Sequence, residues 1–589
     1  MADPSNSEIA AALDELGDLY ELDGAVIHRV VAYRNGAKAA REASTSVSQL
    51  ARAGRATELP GIGATLQEKI LALADSGEIP ALEKLRARFP PGLVQMTKLP
   101  GLGPKRARRL YEELQIDSLA GLRSAAQEQR IRELSGFGAK AEEQLLAALD
   151  AYEAAGPASR TVLNQALAVG EELLRAIREH PTTVRAEFAG SARRMTDTVK
   201  DLDIVATASD PAALAGAAVQ LPQVQAASTP GENAVRLRTH AGLNVDLRIV
   251  EPDQFGNVLQ HLTGSKQHNV ALRELAVRRG LHISEYGVLD DNTGITHRCG
   301  TEQEVYALLG MAYIEPELRE NRGELEAALE GTLPELVTLA DLKGDLHSHT
   351  TASDGAASIE QMALAAREAG YEYLAVTDHS ASMGFGASVS DDQLRRQIEL
   401  IHQADAEIEG IKLLAGSEVN ILPDGALDYP DELLAQLDWV VASVHTSLRM
   451  AAQEMTVRVV SAIEHPYVDC IGHLTGRKIG QRPPYELDFE VVAQAAARTG
   501  TMLEINANPD RRDMNELHAR AAAAAGVQIV IGTDAHRVDG FAVARYGVAT
   551  ARRAWLTVSQ IANTRPWAEF APLRSRSRAD APSGRGSGS

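Results

Sequence analysis

From residue 343 onward, short apolar runs recur about every 30 residues, with stretches of helical character between them. They are "YLAVT" (373–377), "KLLAG" (412–416), "WVVASV" (439–444), "VDCIG" (468–472), "TMLEI" (501–505) and "VQIVIG" (527–532). This is the β/α alternation of a parallel sheet or barrel, because each parallel pair needs a crossover and the crossover is usually a helix. Polar side chains of ligand type follow the runs: His347 and His349, His379, Glu418, His445, His473, Asp534 and His536. Each sits at or just past the C-terminal end of an expected strand, and in parallel β/α architectures those ends gather on one face, where active sites form. His402, His465 and His518 lie away from strand ends and are background. A lone strand-end histidine is ordinarily structural. A whole set of them with carboxylates on one face reads as a metal centre. In "GDLHSHTTASDG", which begins at Gly344, alternation puts His347 and His349 on one side with Ser348 between them. Asp345 stands two residues before His347.

The 589 residues leave room for several further domains. Residues 1–150 read as helical, and one turn recurs there: "LPGIG" (59–63), "LPGLG" (99–103) and "LSGFG" (134–138). Two glycines let the backbone turn tightly, and the next helix then presents free N–H groups, a ready phosphate site. One copy is an ordinary interhelical turn. Three copies, one beside a basic run, favour DNA backbone binding. That run, "KLPGLGPKRARRL" (98–110), carries Lys98, Lys105, Arg106, Arg108 and Arg109 with no acid. The net charge of −21 argues against nonspecific nucleic-acid binding by the chain as a whole, but not by a local basic face.

The chain holds only Cys299 and Cys470, so neither a disulfide framework nor a thiolate zinc cluster is expected, and a reducing compartment fits. "MADPSNSEIA" has no secretion-signal pattern, and no apolar run reaches the roughly 18 residues of a membrane span.

Residues 185–250 are β-rich. Asp201 and Asp203 in "DLDIV" share one strand face with Leu202 on the other, and Asp246 in "LNVDLRIV" lies on the polar face of a second strand. If those strands pair, three carboxylates converge and need cations, and two carboxylate-bridged magnesium ions can activate an attacking oxygen. The alternative is a set of surface acids. Gly190 and Ser191, followed by Arg193 and Arg194, favour the site, since Gly-Ser can cradle a triphosphate.

Positions 1–315 resemble family X DNA polymerases, the group of DNA polymerase beta. Gly-Ser-x-Arg-Arg, Asp-x-Asp and Asp246 match the family's palm, "TGSKQHNVALR" (263–273) its thumb, and "SEYG" (284–287) also fits. The resemblance implies catalysis by Asp201, Asp203 and Asp246 on magnesium or manganese. It implies nucleotide contacts from Gly190, Ser191, Arg194, Gly264, Ser265 and Asn269. DNA contacts are implied for Gly61, Gly63, Gly101, Gly103, Lys105, Arg106 and Arg273. Lys69 falls at the family's lyase lysine, though a helix lysine is ordinarily just solvated. Two departures bear on this: His261-Leu262 replaces an aromatic pair, which touches sugar discrimination, and Thr65 replaces a lysine beside the lyase residue.

"DLHSHTTASDG", "VTDHS", "GSEVNI", "SVH", "GHL" and "GTDAH" resemble, in order, the motifs of the PHP (polymerase and histidinol phosphatase) domain. That implies a trinuclear site of zinc, manganese or iron, and imidazole-rich sites suit these ions better than magnesium. His347, His349, Glu418 and Asp534 would hold one ion. Glu418 would bridge to a second with His445 and His473, and Asp354, His379 and His536 would hold the third. Arg477 is either a phosphate ligand or a surface arginine.

The expected fold is thus multidomain α/β. It comprises a helical lyase-like domain (1–95), a fingers-type helix-hairpin-helix domain (96–150), a nucleotidyltransferase-type α+β palm (151–260) and thumb (261–315). A linker (316–342), a distorted seven-stranded (β/α) PHP barrel (343–573) and a disordered tail (574–589) complete it. The expected function is gap-filling DNA synthesis in base excision repair, with a 3′–5′ exonuclease or abasic-site endonuclease. The expected partners are gapped or nicked duplex DNA and deoxynucleoside triphosphates, without a membrane. The expected protein is a cytoplasmic, nucleoid-associated monomer. The competing readings are a polymerase with an inactive structural metal cluster, a non-enzymatic DNA-end scaffold, and a small-molecule phosphoesterase.

Overall fold

The computed structural model describes residues 4–43, 46–97, 99, 102–155, 160–229, 231, 233–382 and 388–575. They divide into two compact units. One holds residues 1–193, 198–264 and 275–305, and the other holds 194–197, 265–274 and 306 onward.

The first unit begins with helices, from Asn6–Leu22 to Ala139–Ala155. The first helix starts on a capping box, in which Ser5 Oγ accepts from the Glu8 N–H at 3.2 Å and the Glu8 carboxylate accepts from the Ser5 N–H at 2.7 Å. The recurring turn has one construction. The N–H of Ile62, Leu102 and Phe137 donates to the carbonyl of Leu59, Leu99 and Leu134 at 3.0, 3.0 and 2.9 Å. Ile62, Leu102 and Phe137 are buried in a shared core, so the repeat is a packing unit as well as a turn. Gly61 has φ +97°, and a Cβ there would lie 3.1 Å from the Asn35 carbonyl, which is why the turn takes glycine.

The palm sheet follows, five strands in the order Thr183–Ala189, Asp201–Ala208, Asn244–Ile249, Ala234–Thr239, Val224–Ala227. Asp201–Ala208 and Asn244–Ile249 run parallel, and buried Leu202, Ile204, Val245 and Leu247 alternate with the polar face. A three-stranded antiparallel sheet, Leu281–Ser284, Gly287–Asp290 and Thr296–His297, includes the "SEYG" turn.

The second unit is dominated by seven parallel strands in sequence order: Gly344–Asp345, Tyr373–Val376, Lys412–Asn420, Trp439–Ser443, Cys470–Ile471, Met502–Asn506 and Ile529–Gly532. A parallel bridge from Ser348 to Ala535 brings the first and last together, so the barrel is nearly closed. Alternation sorts the side chains. Leu374, Val376, Val440 and Ala442 face one core, while Tyr373, Ala375, Trp439 and Val441 face the interior. At the start of the strands Phe570 stacks on Tyr373, ring centroids 4.9 Å apart, and packs on Trp439. The C-terminal segment thus plugs the end of the barrel opposite the ligand-bearing one.

Two expectations of layout change. Residues 316–342 are not a solvated connector: Pro316, Leu318, Arg319 and Glu324 are buried, and Glu324 pairs at 2.7 Å with fully buried His268. A buried charge needs a partner, and this one has it. Ser575 does not belong to the tail expected from 574, since it is buried and its N–H donates to Asp469; residues 576–589 of that expectation lie outside the described residues.

Candidate active sites

In the palm, the parallel register places Asp203 directly opposite Asp246, with Asp201 two residues back on the same face. The strands pair as the carboxylate reading requires. Gly190 has φ +63° and stands so close that a Cβ would sit 2.1 Å from Asp203 Oδ2, so only glycine lets the backbone approach this carboxylate. Ser191 follows on the short helix Gly190–Arg193. Arg193 donates to Thr263 Oγ1 at 2.8 Å and pairs with Glu302 at 2.6 Å. Arg236 lies across the strand pair from Asp246 and bonds it at 3.0 Å. With Lys200, Asp201, Arg238 and Asn244 these residues line a cavity of about 440 Å³. Gly264 is a helix cap with φ +67°.

The remaining residues expected at the nucleotide belong to the other unit. There Arg194 pairs with Glu320 at 3.1 Å, buried Ser265 accepts from the His268 N–H, and Asn269 and exposed Arg273 lie on helix Lys266–Val277.

Of the residues expected to touch DNA, Gly63 and Gly103 are N-caps without a side-chain cap, and a Cβ on either would meet open space. The first N–H groups of the following helices thus have no side-chain cap from these glycines, and the second helix starts on Pro104, which has no N–H. Lys105 is exposed. Arg106 also makes contacts within the protein. It donates to Gly136 O at 3.0 Å and lies over the Phe137 ring, tying the second hairpin to the third. Gly101 and Lys98 fall outside the described residues. Lys69 lines a cavity of about 570 Å³ with Tyr20, Asp23, Lys84 and Arg88.

In the barrel, the expected ligands converge. His349 Nε2 lies 3.1 Å from Asp534 Oδ1, and His347 Nε2 lies 3.7 Å from the same oxygen. Glu418 Oε1 has His445 and His473 at 3.1 and 2.9 Å, and its Oε2 has His379 at 2.8 Å. Asp354 Oδ1 has His379 and His536 at 3.5 and 3.3 Å. Donor atoms form three groups, each within 4.8 Å: His349, Asp354, His379 and His536; His347, His349 and Asp534; His379, Glu418 and His445. His349 and His379 thus each stand in two groups, where the resemblance implied one ion apiece.

Both Glu418 oxygens, both His349 nitrogens, His347 Nε2, His379 Nδ1 and His445 Nε2 are buried without a hydrogen bond. Buried polar atoms are normally satisfied, so this orphaned set fits metal ions. Asp534 and His473 hold positive φ values of +56° and +25°, strain that clusters at functional sites.

The field inside is strong. Burial opposes charge on His347, yet Glu504, Glu418 and Asp534 lift it well above the ordinary histidine range. Burial also opposes ionisation of Glu418, which His445, His379 and His347 hold well below the usual carboxylate range. His349 is pushed down to about 4, by burial first and then by His379 and His536.

Three supporting carboxylates complete the barrel site. Glu504 accepts from His347 Nδ1 at 2.7 Å and from the His473 N–H at 2.7 Å. Gly532 makes room, since a Cβ there would sit 2.4 Å from Glu504 Oε1. A carboxylate behind a ligating imidazole fixes its tautomer and orientation. The sequence reading passed over Glu504; its signal was an acid inside the apolar run "TMLEI". Asp378 accepts from Thr350 and Ser353, holding the loop that carries Asp354. Asp345 accepts from the N–H groups of His347 and Thr533, joining the first and last strands, and burial lifts its pKa to about 6.

Arg477 is not in the cavity lining. It pairs with Asp197 at 2.8 Å and donates to the Arg512 carbonyl. The background histidines stay so: His402 and His465 pair with Asp438 and Asp431, and His518 stacks on Phe489.

One polypeptide thus carries hairpin-bearing helices, a sheet that sets Asp203 opposite Asp246, and a barrel whose strand ends gather imidazoles and carboxylates. Residues 4–79 match the helix-hairpin-helix domain, 94–151 the SAM-like helix-hairpin-helix tandem, 258–320 the DNA polymerase beta thumb and 345–508 the PHP domain. DNA polymerase/3′-5′ exonuclease PolX of Bacillus subtilis (strain 168) is 37% identical over 560 residues, covering 95% of this chain and 97% of that protein. A probable phosphatase of Thermoanaerobacter sp. (strain X514) is 33% identical over 233 residues, 37% of this chain and 89% of that protein. Another, from Acetivibrio thermocellus, is 35% identical over 202 residues, 33% of this chain and 78% of that protein. The chain belongs to the family X DNA polymerases that carry a C-terminal PHP domain.

Proposed function

We propose that this chain fills short gaps in DNA during base excision repair and trims 3′ ends with its own barrel. The observation that supports this best is the coexistence of two separate constellations, each complete: Asp203 opposite Asp246 beside Gly190, and nine converging barrel ligands. The hairpin helices hold the DNA backbone through their first N–H groups. Gly190 and Ser191 receive the triphosphate. Asp201, Asp203 and Asp246 would hold magnesium or manganese, which supplies activation of the primer hydroxyl and neutralises charge on the leaving oxygen. In the barrel, His347, His349, Asp354, His379, Glu418, His445, His473, Asp534 and His536 would hold zinc, manganese or iron, which lowers the pKa of water and so provides a nucleophile at neutral pH. Glu504 keeps His347 aimed, and Asp378 holds the loop of Asp354.

The readout is a labelled gapped duplex incubated with and without nucleotides across magnesium, manganese and zinc. Primer extension with nucleotides and 3′ shortening without them is the expected result. A band unchanged under every condition would mean a non-enzymatic scaffold, and extension without shortening an inert metal cluster. Cleavage at an internal abasic site would assign the endonuclease. The same protein acts in the cytoplasm at the nucleoid as a monomer. Lys69 serves as a 5′-deoxyribose phosphate lyase nucleophile, its cavity shared with Lys84 and Arg88. Borohydride trapping of a labelled abasic 5′ end, lost in Lys69→Ala, tests this.

A further inference from the structure

The barrel cavity, about 240 Å³, is lined by more than ligands: Lys478, Arg482 and Arg511 also face it, with Asn508 and Asp510. A tight hairpin places the first two. The Lys478 N–H donates to Arg482 O at 2.8 Å, Gly480 turns with φ +72°, and the Ile479 N–H donates to Asp510 O at 2.7 Å. The hairpin is thereby stitched to the loop that bears Arg511. Arg482 Nε donates to Gly476 O at 2.7 Å, which fixes the guanidinium and leaves its other nitrogens available. Arg511 Nε lies 3.8 Å from Asp534 Oδ2. Among the described residues, neither Lys478 nor Arg482 has a carboxylate within 4.0 Å. All three cations are half-buried, and burial together with Arg511 and Arg482 lowers the Lys478 pKa.

Grouping like charges in a partly desolvated mouth is unfavourable unless anions come there. One phosphodiester does not account for them. The ligand set contains three carboxylates, Asp354, Glu418 and Asp534, and a trinuclear divalent centre on them is already net positive before any substrate arrives. Lys478, Arg482 and Arg511, with Asp510 the one carboxylate lining the cavity outside the ligand set, are surplus to the scissile phosphate. We infer that they clamp the phosphates next to the scissile one, so that the barrel selects a polynucleotide end over a small phosphate ester. This inference rests on the proposed nuclease activity of the barrel.

The test uses the full-length, metal-loaded protein and two probes, hexathymidylate and thymidine 5′-(p-nitrophenyl phosphate), the second of which offers one phosphodiester. Wild type is expected to prefer the hexamer by about tenfold or more in kcat/KM. Lys478→Ala with Arg511→Ala should lose about tenfold more on the hexamer than on the ester, chiefly in KM. The slope of log kcat/KM against log salt on the hexamer should become shallower by about 1.4, from roughly 0.7 for each lost contact on single strands. Arg511→Lys, which keeps the charge, should recover most of that loss, and bound metal measured by mass spectrometry should match wild type. Equal losses on both probes, an unchanged salt slope, or loss of metal in the variant would overturn the clamp. If wild type hydrolyses both probes equally well, the clamp fails while the nuclease reading stands. If wild type hydrolyses neither with zinc, manganese or iron, the nuclease reading fails and the clamp falls with it.

Discussion

The palm and the barrel both gather carboxylates, but in opposite dielectric settings. Asp246 keeps 38% of its side chain exposed and leans on Arg236, itself 80% exposed. Glu418 is 1% exposed, His349 fully buried, and their orphaned atoms have no hydrogen-bond partner in the protein. An open carboxylate trio tolerates an empty state, because solvent and an exposed arginine screen it. A buried cluster does not, since its unpaired groups carry the full desolvation penalty. On the proposed function, ions at the palm would come and go with nucleotide and DNA, and ions in the barrel would be bound before substrate.

The sharpest way to break this contrast is to separate the sites. Asp203→Ala should abolish primer extension and spare end-trimming, and His347→Ala should do the reverse. Each loss should exceed the roughly 10–100-fold that a supporting residue costs. Loss of both activities in either folded variant would mean the sites are not independent.

The next effect is on stability and is confined to the barrel. Phe570→Ala removes the plug stacked on Tyr373 and should cost about 3–5 kcal/mol, read as a lowered unfolding midpoint for nuclease activity before polymerase activity. Coincident loss of the two would show that the units unfold as one.

Glu516 tests a buried ion pair. It bonds Arg553 at 2.9 Å, and although burial opposes it, Arg553 holds its pKa down at about 2. A carboxylate depressed in the folded state stabilises above its unfolded pKa of 4.5, and that contribution fades as pH falls towards 2. Glu516→Gln should thus cost roughly 3 kcal/mol at neutral pH. Its gap from wild type should close as the solution is acidified, and a gap independent of pH would assign the loss to packing.

Glu504→Gln should weaken barrel metal retention by about 10–100-fold, read by dialysis against a chelator, with primer extension unaffected. The smallest effect belongs to Arg236→Ala. Freeing Asp246 should tighten palm magnesium binding by no more than about fivefold, because an exposed pair is worth at most about 1 kcal/mol. A larger change would mean the palm is less open than its exposure suggests.

The ordered strands of the barrel and the face that bears its ligands were legible because period-two alternation and strand-end position are local properties of the chain. So was the palm trio, since Asp201 and Asp203 must share a face and Asp246 sits among alternating core residues. Three features were not legible. Arg106 looked like a DNA contact, and it also bonds Gly136, because a basic run does not reveal which of its members a neighbouring turn will recruit. Segment 316–342 looked solvated because it is rich in acids, yet Glu324 finds His268. Arg477 looked available for phosphate, while Asp197 holds it.

Sequence alone determined which residue types recur, at what period, and hence the strands, the helical turns and the ligand candidates. The tertiary structure alone decided which carboxylate stands behind which imidazole, that Gly532 yields its space to Glu504, and that Lys478, Arg482 and Arg511 share one mouth with the ligands. The physical reason is range. Alternation and turn chemistry act over a few residues, whereas hydrogen bonding and desolvation act between groups such as His347 and Glu504, which are 157 positions apart in the chain.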